Sequence, residues 1–269
     1  MSTALRTVLV LHGFSQNANI LSKRLGALRK ECGSDFELVF LDAPMILQPV
    51  DLFGSSPQNQ SQPTDLAALG AAEASATSED PALTPRAWWK SNKERTIYNG
   101  IEDSLLLVRD ILKERRFDGV FGFSQGAAFA AVIAALLERP YLYPSFLVDG
   151  KTPHPPLKFC VAVSGFKPGG HICEPIFTPS YSTPTLHVIG KTDVVVVEER
   201  SRQLINVSEN KRVVEHEGGH FVPSKASWRK FLCEYMKNPE SDLPAPGSSA
   251  SGAATPIGAD GESLMAMKL

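Results

Sequence analysis

Ser124 lies in Gly122-Phe123-Ser124-Gln125-Gly126, where an apolar run, Gly119 to Phe123, meets an Ala-rich one, Gln125 to Leu137. A serine hydroxyl is a weak nucleophile that needs a base, and a sharp strand-to-helix turn exposes it best. Glycines on either side allow that turn, because a Cβ there would meet neighbouring backbone. A hydroxyl at the following helix N-terminus also sits where the dipole favours developing negative charge. The chemistry this pattern suits is acyl transfer. Gly-x-Ser-x-Gly alone also serves purely steric turns, so its partners decide.

Those partners are a histidine base and a carboxylate that fixes the histidine's tautomer. In a strand-turn-helix setting the chain order is Ser, then Asp or Glu, then His. Asp193 follows the run Thr185 to Gly190 through Lys191-Thr192, and His220 follows Lys211 to Glu215 through Gly218-Gly219. Both fall just past the carboxyl ends of expected strands, the edge where open α/β sheets build sites. His187 lies inside a strand run and reads as a packed residue, while His154 and His171 sit in Pro- and Gly-rich loops. His216 competes only if the last strand ends early. Asp149 and Glu174 lack a strand end behind them.

An oxyanion formed at the substrate needs two backbone donors. The Gln125 N–H is one, and the Phe14 N–H, in Leu11-His12-Gly13-Phe14-Ser15-Gln16, is the other expected donor. The plainer alternative is an ordinary turn with His12 packed structurally.

Positioning these groups requires a parallel sheet with helices on both faces, an α/β fold. The runs Thr7 to Leu11, Glu37 to Leu41, Gly119 to Phe123, Phe159 to Ser164, Thr185 to Gly190 and Lys211 to Glu215 are the expected strands, several almost continuously apolar, as in sheets buried on both faces. Ile20, Leu21, Leu25 and Leu28 recur at helical spacing between an Asn17 to Asn19 start and a Gly33 stop, predicting one connecting helix. Ile97, Ile101, Leu105, Val108 and Leu112 predict another. Residues 1–238 are expected to form one domain. Gly54 to Pro85, rich in Ser, Pro, Gln, Ala and Thr, reads as a long surface excursion or partial lid, and 239–269 as a disordered tail.

The 269 residues are 43% hydrophobic and 21% charged, with a formal net charge of -2, which offers no broad basic field for nucleic acid. Cys32, Cys160, Cys173 and Cys233 show no C-x-x-C pair and read as reduced thiols. No run is long enough to span a membrane, and the N-terminus lacks a signal peptide, so a cytoplasmic protein is expected. The final Met267-Lys268-Leu269 resembles a peroxisomal tripeptide but has Met267 where that signal has Ser or another small residue, which argues against import.

The ordered set Leu11-His12-Gly13-Phe14-Ser15-Gln16, Leu41-Asp42-Ala43-Pro44, Arg86-Ala87-Trp88-Trp89, Phe117 to Ala128, Val163-Ser164-Gly165-Phe166 and Gly218-Gly219-His220-Phe221-Val222-Pro223 resembles the FSH family of serine hydrolases, within the α/β-hydrolase superfamily, over residues 6 to 236. The resemblance implies an α/β-hydrolase fold that cleaves carboxylic esters, in some members with long acyl chains, and in certain fungal relatives thioesters of polyketides. It carries the triad onto Ser124, Asp193 and His220. Lys191 stands where relatives often have another Asp, and Val197 near a frequent Pro. The expected activity is therefore a serine carboxylesterase on medium or long acyl chains, needing no metal or organic cofactor. The alternatives are an acyl-thioesterase and a non-catalytic binder of the same fold. Trp88, Trp89, Phe166, Val194 and Phe221 are candidates to line an apolar substrate pocket, although paired tryptophans more often pack into a core.

Overall fold

The computed structural model describes residues 5–53 and 65–247. Six strands, β1 (Arg6–Leu11), β2 (Phe36–Leu41), β3 (Gly119–Phe123), β4 (Phe159–Val163), β5 (Thr185–Gly190) and β6 (Lys211–His216), form one sheet in the order β6-β5-β4-β3-β1-β2. Every pairing in it is parallel. All six expected strands are present, within a residue or so of their expected ends. β3 and β4 are buried at every position, which accounts for their unbroken apolar sequences.

Two helices pack by different means. α4 (Gln125–Glu138), which follows β3, is apolar on all sides and buried along nearly its whole length. α3 (Ile101–Glu114) buries Ile101, Leu105, Val108 and Leu112 as one stripe. It begins four residues later than its apolar spacing suggests. Gly100, at φ 89°, starts it, while the Asn92 carboxamide oxygen accepts from the Thr96 and Ile97 amides and holds Ile97 in an exposed hairpin turn. The expected helix after β1 is likewise two pieces, α1 (Ala18–Arg24) and α2 (Gly26–Cys32), broken at Leu25; Asn17 caps the first through Ile20 N–H at 2.8 Å.

One further expectation, that of four reduced thiols, changes. Cys32 and Cys233 are joined by a disulfide with Cα atoms 5.6 Å apart. Their 201-residue separation hid the pair, which arises because α2 packs beside the last described helix, α5 (Ala226–Lys237). Cys160 and Cys173 are free and buried, and burial pushes both thiols up to about 12. The excursion is docked over its described part: Ala71 and Ala74 pack on Ile20, and the Gln16 side chain donates to Gly70 O at 2.6 Å. Small residues let this segment lie close to α1 without large side chains; 54–64 fall outside the described residues. The first part of the expected tail is also held, with Leu243 and Ala245 against the core and Arg212 donating to Ser241 O. Residues 248–269 lie outside the described ones. Among the described residues, no helix is long and apolar enough to cross a membrane.

Candidate active site

Ser124 sits between β3 and α4 at φ 54°, ψ -118°, a conformation a residue with a Cβ rarely adopts. The turn is that tight because α4 presses its first residues against the sheet. A Cβ on Gly122 would lie 2.2 Å from Gly126 O, and one on Gly126 would lie 2.2 Å from Leu11 O. The two glycines of the motif thus permit the crossing that lifts Ser124 above the strand ends.

His220 Nε2 lies 2.9 Å from Ser124 Oγ, and its Nδ1 lies 2.7 Å from Asp193 Oδ2. All three side chains are buried. The second carboxylate oxygen accepts from the Val195 and Val196 amides at 2.9 and 2.8 Å. Burial opposes ionisation of Asp193, but the hydrogen bond and charge of His220 and the Val196 amide hold its carboxyl below the usual range. An ionised Asp193 accepts from Nδ1–H. That leaves the Nε2 lone pair facing the serine.

The loop carrying His220 is tied to the acid loop through backbone, with Lys191 N–H donating to His216 O at 2.9 Å and Thr192 N–H to Gly218 O at 3.2 Å. A Cβ on Gly190 would lie 2.3 Å from Gly219 O, so β5 meets this loop through backbone alone. Lys191 pairs with Glu217 at 2.6 Å on the exposed surface between the acid loop and the base loop.

The remaining histidines stand apart from Ser124. His216 accepts from Gly218 N–H at 3.2 Å and lies between Phe221 and Trp228. His154 Nε2 accepts from Phe117 N–H, and His187 is buried, with burial lowering its pKa to about 3. His12 is also structural: burial lowers its pKa to about 4, Nδ1 donates to Gly13 O, and Nε2 accepts from Ala43 N–H.

His12 therefore anchors the loop expected to supply the oxyanion donor. In that loop the Gly13 amide is taken by the Gln16 side chain, Ser15 by Arg86 O and Gln16 by Gly13 O. Among the described residues, the Phe14 amide has no acceptor, nor has the Gln125 amide at the start of α4. A Cβ on Gly13 would lie 3.3 Å from Ser124 Cβ, so the two turns are in contact. Two open amides beside the hydroxyl can receive a negative oxygen.

The proposed pocket residues separate. Trp88 and Trp89 are 0% and 2% exposed and pack on Phe129, so they present no surface to a substrate. Aromatic burial wins here, as Trp88 Nε1 finds an internal acceptor in His12 O at 2.8 Å. Val194 is 83% exposed. Phe221, with Gln16, Leu21, Gly70, Phe123 and Val222, lines a cavity of about 220 Å³ next to His220. Phe166 is partly buried against Trp89.

Two residues of the site carry roles that motif reading did not assign. The Gln16 side chain braces the Phe14 loop. The Gln125 side chain accepts from Trp88 N–H and donates to Trp89 O, both at 2.9 Å. Only their presence inside the quoted motifs signalled them. Gln125→Ala leaves both backbone groups buried and unpaired, so it is expected to destabilise the protein by about 2–6 kcal/mol, at roughly 1–3 kcal/mol per orphaned group. Urea unfolding checks this, and an unchanged midpoint would show that the two groups find other partners.

A serine raised on a strand-to-helix turn of a parallel sheet, hydrogen-bonded to a histidine and through it to an aspartate, defines a serine hydrolase of the α/β-hydrolase fold. The chain belongs to the family described as Serine hydrolase (FSH1), whose model matches residues 1–232. It is 32% identical over 248 residues to Esterase OVCA2 of Danio rerio, covering 88% of this chain and 99% of that protein. Against Esterase OVCA2 of Homo sapiens it is 33% identical, covering 85% and 94%. A protein of Schizosaccharomyces pombe named Dihydrofolate reductase is 31% identical over 85% of this chain, and the chain spans only 46% of that relative's length. In fold the chain is similar to acyl-protein thioesterase 2 of Zea mays, with TM-score 0.57 and 19% identity over 88% of this chain and 94% of the other. It is also similar to SOBER1 of Arabidopsis thaliana, with TM-score 0.54 and 17% identity over 87% and 98%.

Proposed function

We propose that the protein is a carboxylic ester hydrolase that works through an acyl-enzyme on Ser124. The observation that carries this reading is the unbroken hydrogen-bond chain from Ser124 Oγ through His220 to Asp193. Ser124 Oγ attacks the ester carbonyl while His220 Nε2 takes its proton, and the Phe14 and Gln125 amides hold the oxyanion. The imidazolium then protonates the leaving alkoxide. Water attacks the acyl-enzyme with His220 again as base, releasing the acid and restoring the serine. Asp193 keeps one tautomer throughout.

The preferred acyl group is apolar and of medium or long chain, because Leu21, Phe123, Phe221 and Val222 wall the cavity beside His220. Burying one more methylene contributes about 0.8 kcal/mol, roughly fourfold in kcat/KM, until the cavity is full. Hydrolysis of a series of acyl esters tests this. A rise of that order over several methylenes is expected, and a flat or falling profile overturns the assignment of this cavity. The same steps act on a thioester, whose leaving thiolate needs less help from a proton. Matched oxygen esters and thioesters of one acyl group measure which leaving atom the enzyme favours.

A further inference from the structure

The side chain of Gln16 serves two neighbours at once. Its Oε1 accepts from Gly13 N–H at 3.0 Å, and its Nε2 donates to Gly70 O at 2.6 Å and to Leu69 O at 3.4 Å. A carboxamide accepts at one end and donates at the other, as these neighbours require. Gln16 is 0% exposed, so water cannot replace either bond.

The first end sets the oxyanion loop. Gly13 O accepts from Gln16 N–H at 3.2 Å and from His12 Nδ1 at 2.8 Å, and in a trans peptide the Phe14 N–H points away from that carbonyl. With Gly13 N–H held by Oε1 as well, the direction of the Phe14 amide is fixed. The second end holds a roof. Gly70 belongs to the docked segment and lines the cavity beside His220 together with Gln16 and Phe123. A Cβ built on Gly70, at φ 67°, would lie 3.0 Å from Gln16 Nε2 and 3.6 Å from Phe123 Cε1. Another tie from this segment to the cavity wall, Arg24 to Glu73 at 2.9 Å, joins exposed side chains and contributes little. The buried Gln16 bond is the stronger of the two.

We infer that Gln16 is a positioning residue that ties the roof of the acyl cavity to the oxyanion loop, so that an acyl chain seated beneath Gly70 acts on kcat as well as on KM. This rests on the esterase reading for its substrate. The carboxamide is planar and moves as one unit. A shift of Gly70 therefore carries Nε2 and Oε1 together and turns the Gly13–Phe14 peptide away from the oxyanion. A chain long enough to fill the cavity keeps the roof seated, whereas an acetyl group is too short to reach it.

Acetyl and octanoyl esters of one alcohol test the coupling. In the unmodified enzyme the octanoyl kcat is expected to exceed the acetyl kcat threefold or more. Gln16→Glu keeps an acceptor for Gly13 N–H but turns a carboxylate toward Gly70 O, so it should erase that excess and raise the octanoyl KM about tenfold. Gln16→Met removes both bonds at similar length and should lower the acetyl kcat about tenfold below that of Gln16→Glu. A loss of folded protein would scale both esters' kcat alike and leave KM alone. If the Gln16 variants fail to fold, Gly70→Ala presses on Nε2 from the roof and should likewise erase the excess. An octanoyl-to-acetyl kcat ratio that stays at its unmodified value in the folded variants, or identical behaviour of Gln16→Glu and Gln16→Met, overturns the inference. Should the unmodified enzyme turn over neither ester, the esterase reading fails. The tie is then judged by amide hydrogen exchange over residues 66–75, expected about tenfold faster in Gln16→Glu; an unchanged rate overturns it.

Discussion

Ser124→Ala is expected to lower kcat/KM for any ester by about four to six orders of magnitude, the range seen when a triad nucleophile is removed. The magnitude follows from the proposed covalent route, since with Oγ gone water must attack the carbonyl directly. The open amides of Phe14 and Gln125 remain, so a residual rate above the uncatalysed one should survive. Labelling by a fluorophosphonate, which reports an activated serine, should disappear. Folding should be preserved within about 1 kcal/mol, because alanine at φ 54° bears the same Cβ strain as serine. Ser124→Gly separates strain from chemistry: it too is inactive, yet removing the Cβ relaxes the turn. Near-native hydrolysis by a folded Ser124→Ala protein would move the nucleophile elsewhere.

The residues expected to meet at Ser124 were legible because chain order and strand ends constrain them. A parallel sheet collects whatever follows its strands at one edge, so Asp193 after β5 and His220 after β6 follow from chain order and strand ends alone. What stayed hidden depends on packing between distant segments. Trp88 and Trp89 look alike as pocket walls or core, and only their contact with Phe129 decides for core. The Cys32 to Cys233 bridge is a property of two helices meeting, with no local spacing to announce it. Residues 65–85 are poor in large apolar side chains, yet alanines dock where close approach matters more than area. Ile97 fits the apolar stripe of α3 but is claimed by the Asn92 turn, a case of local side-chain hydrogen bonding prevailing over periodicity.

Asp193→Asn should lower kcat by about four orders of magnitude while leaving the cleft's shape intact, and the reason lies in how the carboxylate is held. Its Oδ1 accepts from two backbone amides, Val195 and Val196, so that position must remain an acceptor. An asparagine therefore places its carbonyl oxygen there and turns its NH2 toward His220 Nδ1. A donor facing Nδ1 requires the ring's lone pair on that nitrogen, and the proton moves to Nε2, the atom 2.9 Å from Ser124 Oγ. The histidine then donates to the hydroxyl when it should accept from it, so the base is lost without any atom being displaced. KM should change far less than kcat, which distinguishes a tautomer fault from a collapsed site. Stability gives an independent sign. The folded Asp193 carboxyl titrates below its unfolded value of about 4, so its contribution is present above that pH and is lost as pH falls through the folded pKa. The asparagine variant should lack this part of the acid-induced destabilisation in unfolding measured from neutral to acid pH. An Asn variant with wild-type kcat would show that His220 keeps its tautomer by other means and that Asp193 serves the fold alone.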